Sequence, residues 1–225
     1  MTEPHFTEAD RSYLGANYLT LEELCADRSE GPAEVRRLID QGLLPRPSYV
    51  VDGVGMFPAD YFDLYAEAGG CEGLRPLFEH RYRTAAAPHP DLATPEALDL
   101  AWRAYLDGIW GQCLRAVSPA TIVRKRALVD SLCRLIALPR RGAPEWREQL
   151  RAEVAELDRL EREFAPDYDR AEEWNERPPT RDLLIEVARE RFPEVFASEP
   201  AARLGALRGP RRDRTPHRRA SWPRA

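Results

Sequence analysis

The sequence predicts a mainly α-helical protein: an N-terminal part of short helices with a small β-hairpin, an α-helical part after it, and a disordered tail. Three observations carry this. Apolar residues recur at three- and four-residue steps through most of residues 71–191. Tyr49-Val50-Val51 and Val54-Gly55-Met56-Phe57 read as two short strands around Asp52-Gly53. Residues 201–225 combine Pro, Gly and eight Arg with too little apolar surface to order themselves. The expected divisions are 1–69, 70–200 and 201–225, and the tail is expected to be dispensable for folding.

Element by element, a first helix spans Glu8–Asn17. Thr20, Leu21, Glu22 and Glu23 form a capping box, which starts a second. Gly31-Pro32 opens a third, with Val35, Leu38 and Ile39 at apolar spacing until Gly42 stops it. Leu43-Leu44-Pro45 begins an extended arm that leads into the hairpin. Pro58-Ala59-Asp60 is expected to start a helix through Glu67, ended by Gly69-Gly70. A helix over Gly73–Ala86 follows, then the loop Ala87–Asp91, the expected hinge. Thr94-Pro95 caps and starts a helix carrying Leu98, Trp102, Tyr105, Leu106, Ile109 and Cys113 on one stripe. Ser118-Pro119 caps another, with Ile122, Val129, Leu132 and Ile136 on one face, ending between Pro139 and Gly142. Trp146, Leu150, Val154, Leu157, Leu160 and Phe164 make the cleanest stripe. Thr180 caps a last helix through Arg191.

Composition narrows the function classes. The 225 residues are 43% hydrophobic and 32% charged, enough to bury a core without disulfides or metal. Apolar runs are interrupted far short of the ~20 residues a membrane helix needs, and the N-terminal stretch carries acids where a signal peptide is basic. A cytoplasmic protein with no membrane contact is expected. Cys25, Cys71, Cys113 and Cys133 form no Cys-x-x-Cys pair, so they read as buried free thiols, and with His5, His80, His89 and His217 equally scattered no metal site is expected. The sequence holds no Gly-x-Ser-x-Gly, no P-loop and no dinucleotide fingerprint. No cofactor is expected, and any catalysis would be general acid–base chemistry, cyclisation or dehydration in a shaped pocket.

Helix, turn, helix, arm, hairpin and helix, in that order, resemble the N-terminal domain of MerR-type regulators and excisionase-like winged helices. The residues concerned are Leu19–Cys25, Val35–Pro45 and Met56–Phe62. In that family the second helix enters the major groove and the wing contacts phosphates. Charge argues against nucleic acid here: residues 1–69 hold five Arg against thirteen Asp or Glu, the helix carrying Arg36 and Arg37 also carries Glu34 and Asp40, and the wing has Asp52. The alternative is a winged helix that packs on the helical half or on a protein partner.

Further stretches, Pro45–Tyr49, Pro58–Phe62, Tyr105–Gly108, Gly111–Cys113, Ser118–Lys125, Phe164–Arg170 and Pro178–Arg181, resemble an actinobacterial family of unknown function described as natural product biosynthesis proteins. The resemblance implies a cofactor-independent enzyme or an accessory protein, with a small-molecule pathway intermediate or a biosynthetic protein as partner. A MerR-like pathway regulator is the other reading. Oligomeric state is left open.

Three places read as candidate sites. Gly108 and Gly111, inside a helix that otherwise reads as buried, either admit a neighbouring helix or floor a pocket with Tyr105 and Trp110 as aromatic walls. Lys125, the single lysine beside 32 arginines, sits between Arg124 and Arg126 with Arg115 one helix earlier; the cluster and the amides behind Ser118 suit an anion. Lys125 can also be an amine nucleophile or base, or simply half of an ion pair with a Glu or Asp of residues 147–163. Asp167, Tyr168 and Asp169 flank a Pro-made bend, either as acid–base groups or as a cap and turn.

Overall fold

The computed structural model describes residues 6, 8–162 and 181–197. The expected tail, the cap at Thr180 and the bend carrying Asp167, Tyr168 and Asp169 lie outside them.

Helix α1 (Glu8–Asn17) runs directly into strand β1 (Tyr18–Thr20) and then α2 (Leu21–Leu24). The capping box is formed: Glu23 N donates to Thr20 Oγ1 at 3.3 Å, and Thr20 N donates to Glu23 Oε2 at 2.7 Å. Helix α3 (Pro32–Asp40) starts on Gly31 with Pro in its first turn and buries Val35 and Leu38. The arm then reaches β2 (Tyr49–Val51) and β3 (Val54–Pro58), joined through Asp52 and Gly53 at φ 50° and 81°. Both residues take the left-handed conformation that a two-residue hairpin turn needs.

The hairpin is not alone. β1 pairs antiparallel with β3, Leu19 opposite Phe57, giving the order β1-β3-β2. Pro58 closes β3 opposite Tyr18 and does not open a helix; α4 (Asp63–Glu67) begins only after a turn that sends Tyr61 and Phe62 into the core.

Helix α5 (Cys71–Ala86) starts two residues earlier than expected. The loop after it contains a 3-10 turn at Pro90–Leu92, with Leu92 buried in the main core. Helix α6 (Pro95–Leu106) is capped by Thr94, whose oxygen accepts from Ala97 N at 3.1 Å. It does not continue to Cys113. Gly108 adopts φ 72° and separates it from α7 (Ile109–Cys113). Helix α8 (Pro119–Ala137) is capped by Ser118, and α9 (Pro144–Leu160) returns against it, burying Trp146, Leu150, Val154 and Leu157. Helix α10 (Arg181–Arg191) follows, and a short α11 (Pro193–Phe196) closes the described chain.

One apolar cluster runs from Leu21, Leu44 and Phe57 through Phe78 and Trp102 to Ile122 and Ala127, across residues 69 and 70. A second joins the later half of α8 to α9, α10 and α11, with Trp146 edge-on to Phe192 at 5.0 Å. A third lies against the sheet around Phe6, Leu14, Tyr18, Tyr49 and Met56. Helix α8 therefore belongs to two clusters, which is why its buried face is wider than the stripe Ile122, Val129, Leu132 and Ile136. All four cysteines are free, but Cys25 alone is fully buried; Cys71, Cys113 and Cys133 are half-buried. Among the described residues, no helix is long and apolar enough to cross a membrane, and no group of three or more His, Cys, Asp or Glu can hold a metal ion.

Candidate functional site

The Gly108 and Gly111 region is built from the arm, not from a second helix. A Cβ on Gly108 would lie 2.4 Å from the Arg46 carbonyl oxygen, and one on Gly111 would lie 2.2 Å from Ser48 Oγ. Those glycines therefore admit the arm, and Ser48 Oγ donates to Gly108 O at 3.0 Å while Arg46 N donates to Leu106 O at 2.7 Å. Beside this seam Tyr105, Gly108 and Gly111 line a cleft with Ser48, Asp60 and Tyr61. Its volume is about 20 Å³, room for one water molecule. Asp60 accepts from Val117 N at 2.5 Å, and burial raises its carboxyl above its ordinary value. Trp110 is not a wall of this cleft. Its ring is buried and its Nε1 donates to Ala101 O at 3.0 Å.

Lys125 points inward. It is 6% exposed and forms an ion pair with Glu161, itself 1% exposed, with the Trp110 ring 5.9 Å from the ammonium. The chain brings Glu161 there through a one-residue bridge to Leu114, reinforced by Arg162 N donating to Cys113 O at 2.9 Å. Burial pulls the amine down, but the Cys113 thiol and the Glu161 carboxylate beside it outweigh burial and raise it above its ordinary value. Lys125 is thus a held ammonium, the opposite of what an amine nucleophile needs.

The basic cluster read along the chain does not converge in space. Arg124 is paired with Glu156 on α9, Lys125 goes to Glu161, and Arg126 donates to Tyr82 Oη at 2.8 Å and Ala97 O at 3.0 Å. Consecutive helical positions lie about 100° apart, so three adjacent cations face three directions. The first turn of α8 is also in use, because Thr121 N donates to Ser118 Oγ at 3.2 Å. Arg115 is exposed in the α7–α8 connection, with its backbone N donating to Leu160 O at 2.9 Å.

A larger concavity lies where α8 turns into α9. It measures about 440 Å³ and is lined by Ser131, Arg134, Leu135, Leu138, Arg140 and Trp146, among others. Leu138 is 74% exposed. The sequence reading passed over this groove, although Leu138 carried a signal: it falls off the face that Leu132 and Ile136 bury, immediately before Pro139. Asp60 and Ser48 were also missed, because their partners are distant in sequence.

A family model described as a family of unknown function, DUF6058, matches residues 74–193, more than half of the chain. The chain belongs to the DUF6058 family. The region that matches contains the Lys125–Glu161 pair and the α8–α9 groove, whereas the arm and the sheet precede it. No curated protein and no solved structure matches the chain.

Proposed function

We propose that the chain is a cytoplasmic accessory binding protein of natural product biosynthesis that acts without catalysing a reaction of its own. The state of Lys125 carries this reading. The single lysine is spent on a buried ion pair with Glu161, and the cleft beside Tyr105, Gly108 and Gly111 admits one water. The volume an organic ligand needs, some hundreds of Å³, is found on the surface between α8 and α9. The resemblance in sequence to natural product biosynthesis proteins supplies the setting.

The succession of α2, α3, arm and β2–β3 hairpin supports a winged-helix reading of residues 1–69, with 70–200 as a helical domain. Its cations support a role in packing or protein contact over DNA binding. Arg36 is paired with Glu22, Arg37 with Glu34 at 2.6 Å, and Arg11 on α1 with Asp52 of the wing at 3.2 Å. Each pair would have to break before the guanidinium could reach a phosphate.

The test is pathway reconstitution with Lys125→Met combined with Glu161→Met, which removes both buried charges at similar volume. An accessory binding protein keeps full pathway output provided that thermal melting shows the variant folded. A folded double variant that loses output at least tenfold would return Lys125 to catalysis and sink the reading.

A further inference from the structure

We infer that the groove between the end of α8 and the start of α9 is a docking site for an acidic amphipathic helix of a partner protein. The inference rests on the binding-protein reading above and names the surface and the chemistry it uses. The floor is apolar, made by Leu135 on α8, Leu138 just past its end and the ring of Trp146 from α9, while Glu145 is the one carboxylate on the rim. Leu138 is the most exposed of the large apolar side chains among the described residues, at 74%. It follows a helix whose other large apolar residues are mostly buried, so nothing in the fold explains its exposure.

Charge selects the occupant. The body is acidic, near -12 over residues 1–200, yet within it residues 131–149 hold four Arg against two Glu. Elsewhere on the surface arginines are generally committed: Arg11, Arg36, Arg37, Arg75, Arg81, Arg83 and Arg124 each meet a carboxylate. Arg134 and Arg140 are different. Both line the groove, both are exposed, and neither guanidinium has an ion pair or hydrogen bond among the described residues. An open apolar floor between two uncommitted cations fits a helix that presents leucine-type residues on one face and Asp or Glu beside them. The basic tail of a second copy would be repelled. A fatty acid would satisfy one Arg and leave the other.

Fluorescence anisotropy with two labelled synthetic helical peptides of equal length tests this on the full chain. Both carry the same leucine stripe; one has Glu and Asp on its flanks and the other Lys and Arg. The acidic peptide is expected to bind in the micromolar range and weaken as salt is raised, while the basic one does not bind. Arg134→Glu with Arg140→Glu should weaken the acidic peptide at least tenfold, and Leu138→Glu should do likewise, with melting temperature unchanged because all three side chains are exposed. Absence of binding by the acidic peptide, equal binding by the basic one, or indifference to the variants would each overturn the inference. Such a failure leaves Lys125→Met/Glu161→Met activity untouched, so the two readings fall separately.

Discussion

Gly108 and Arg46 touch through their backbones: the Arg46 carbonyl oxygen occupies the space 2.4 Å from where a Cβ on residue 108 would be. This contact, and not a helix crossing, is what the glycine serves. It joins the arm before the hairpin to the break between α6 and α7, and so sets how the sheet meets the helices.

Gly108→Ala is therefore expected to destabilise the protein by about 3 kcal/mol, combining the left-handed φ of 72° with a backbone clash that no rotamer relieves. Urea unfolding followed by circular dichroism measures it. A loss below about 1 kcal/mol would show that the arm yields easily.

Gly111→Ala is a different case, because its clash is with a side chain, Ser48 Oγ at 2.2 Å from the added Cβ. Ser48→Ala removes the obstructing oxygen along with its hydrogen bond to Gly108 O. The double variant should be less destabilised than the sum of the singles by about 1 kcal/mol. Strict additivity in a double-mutant cycle would show that the two positions do not meet.

Lys125→Ala or Glu161→Ala alone strands a buried charge and should cost about 3–5 kcal/mol, whereas the paired change to Met should fall within about 1 kcal/mol of the wild type. The amine is raised above its ordinary value of 10.5 in the fold, so the stability it contributes is complete below that pH and is lost as pH rises through the folded value. Melting curves from pH 9 upward should fall more steeply for the wild type than for the Met pair. Parallel curves would remove the pair from the alkaline response.

Asp60 has a consequence of the same sign at acid pH. Its carboxyl is raised from 3.8, chiefly by burial, and the folded state binds that proton more tightly than the unfolded chain. Its contribution to stability is largest below pH 3.8 and declines as pH rises through the folded value. Asp60→Asn keeps an oxygen for Val117 N and cannot ionise, so relative to the wild type it should gain stability as pH climbs from 4 to 7. Thermal melting over that range decides it: a constant difference between the two proteins would contradict the assignment.

Local signals were legible in the sequence wherever a short stretch of chain decides its own conformation. The capping box at Thr20 and Glu23, the Pro starts at 32, 95 and 119, the Asp52-Gly53 turn and the α9 stripe all depend on neighbours within a few residues. Strand β1 was not legible, since three residues have no period and Tyr18 finds its partner Pro58 only forty positions further on. The break at Gly108 looked like the interior of one long helix because the apolar spacing continues through it; the arm's approach imposes the break.

The sequence by itself determined the helical class, the small hairpin, the acidic N-terminal third and the presence of a single lysine. Only the tertiary structure decided what those features do. Whether Lys125 is an amine or a locked ammonium depends on Glu161, 36 positions away, entering its low-dielectric surroundings through the bridge at Leu114. Likewise Arg124, Lys125 and Arg126 are neighbours in sequence but part company on α8, while Arg134, Leu138 and Arg140 come to one groove with Trp146 because α9 folds back there. Helical periodicity separates residues that adjoin in sequence, and packing between helices assembles those that do not.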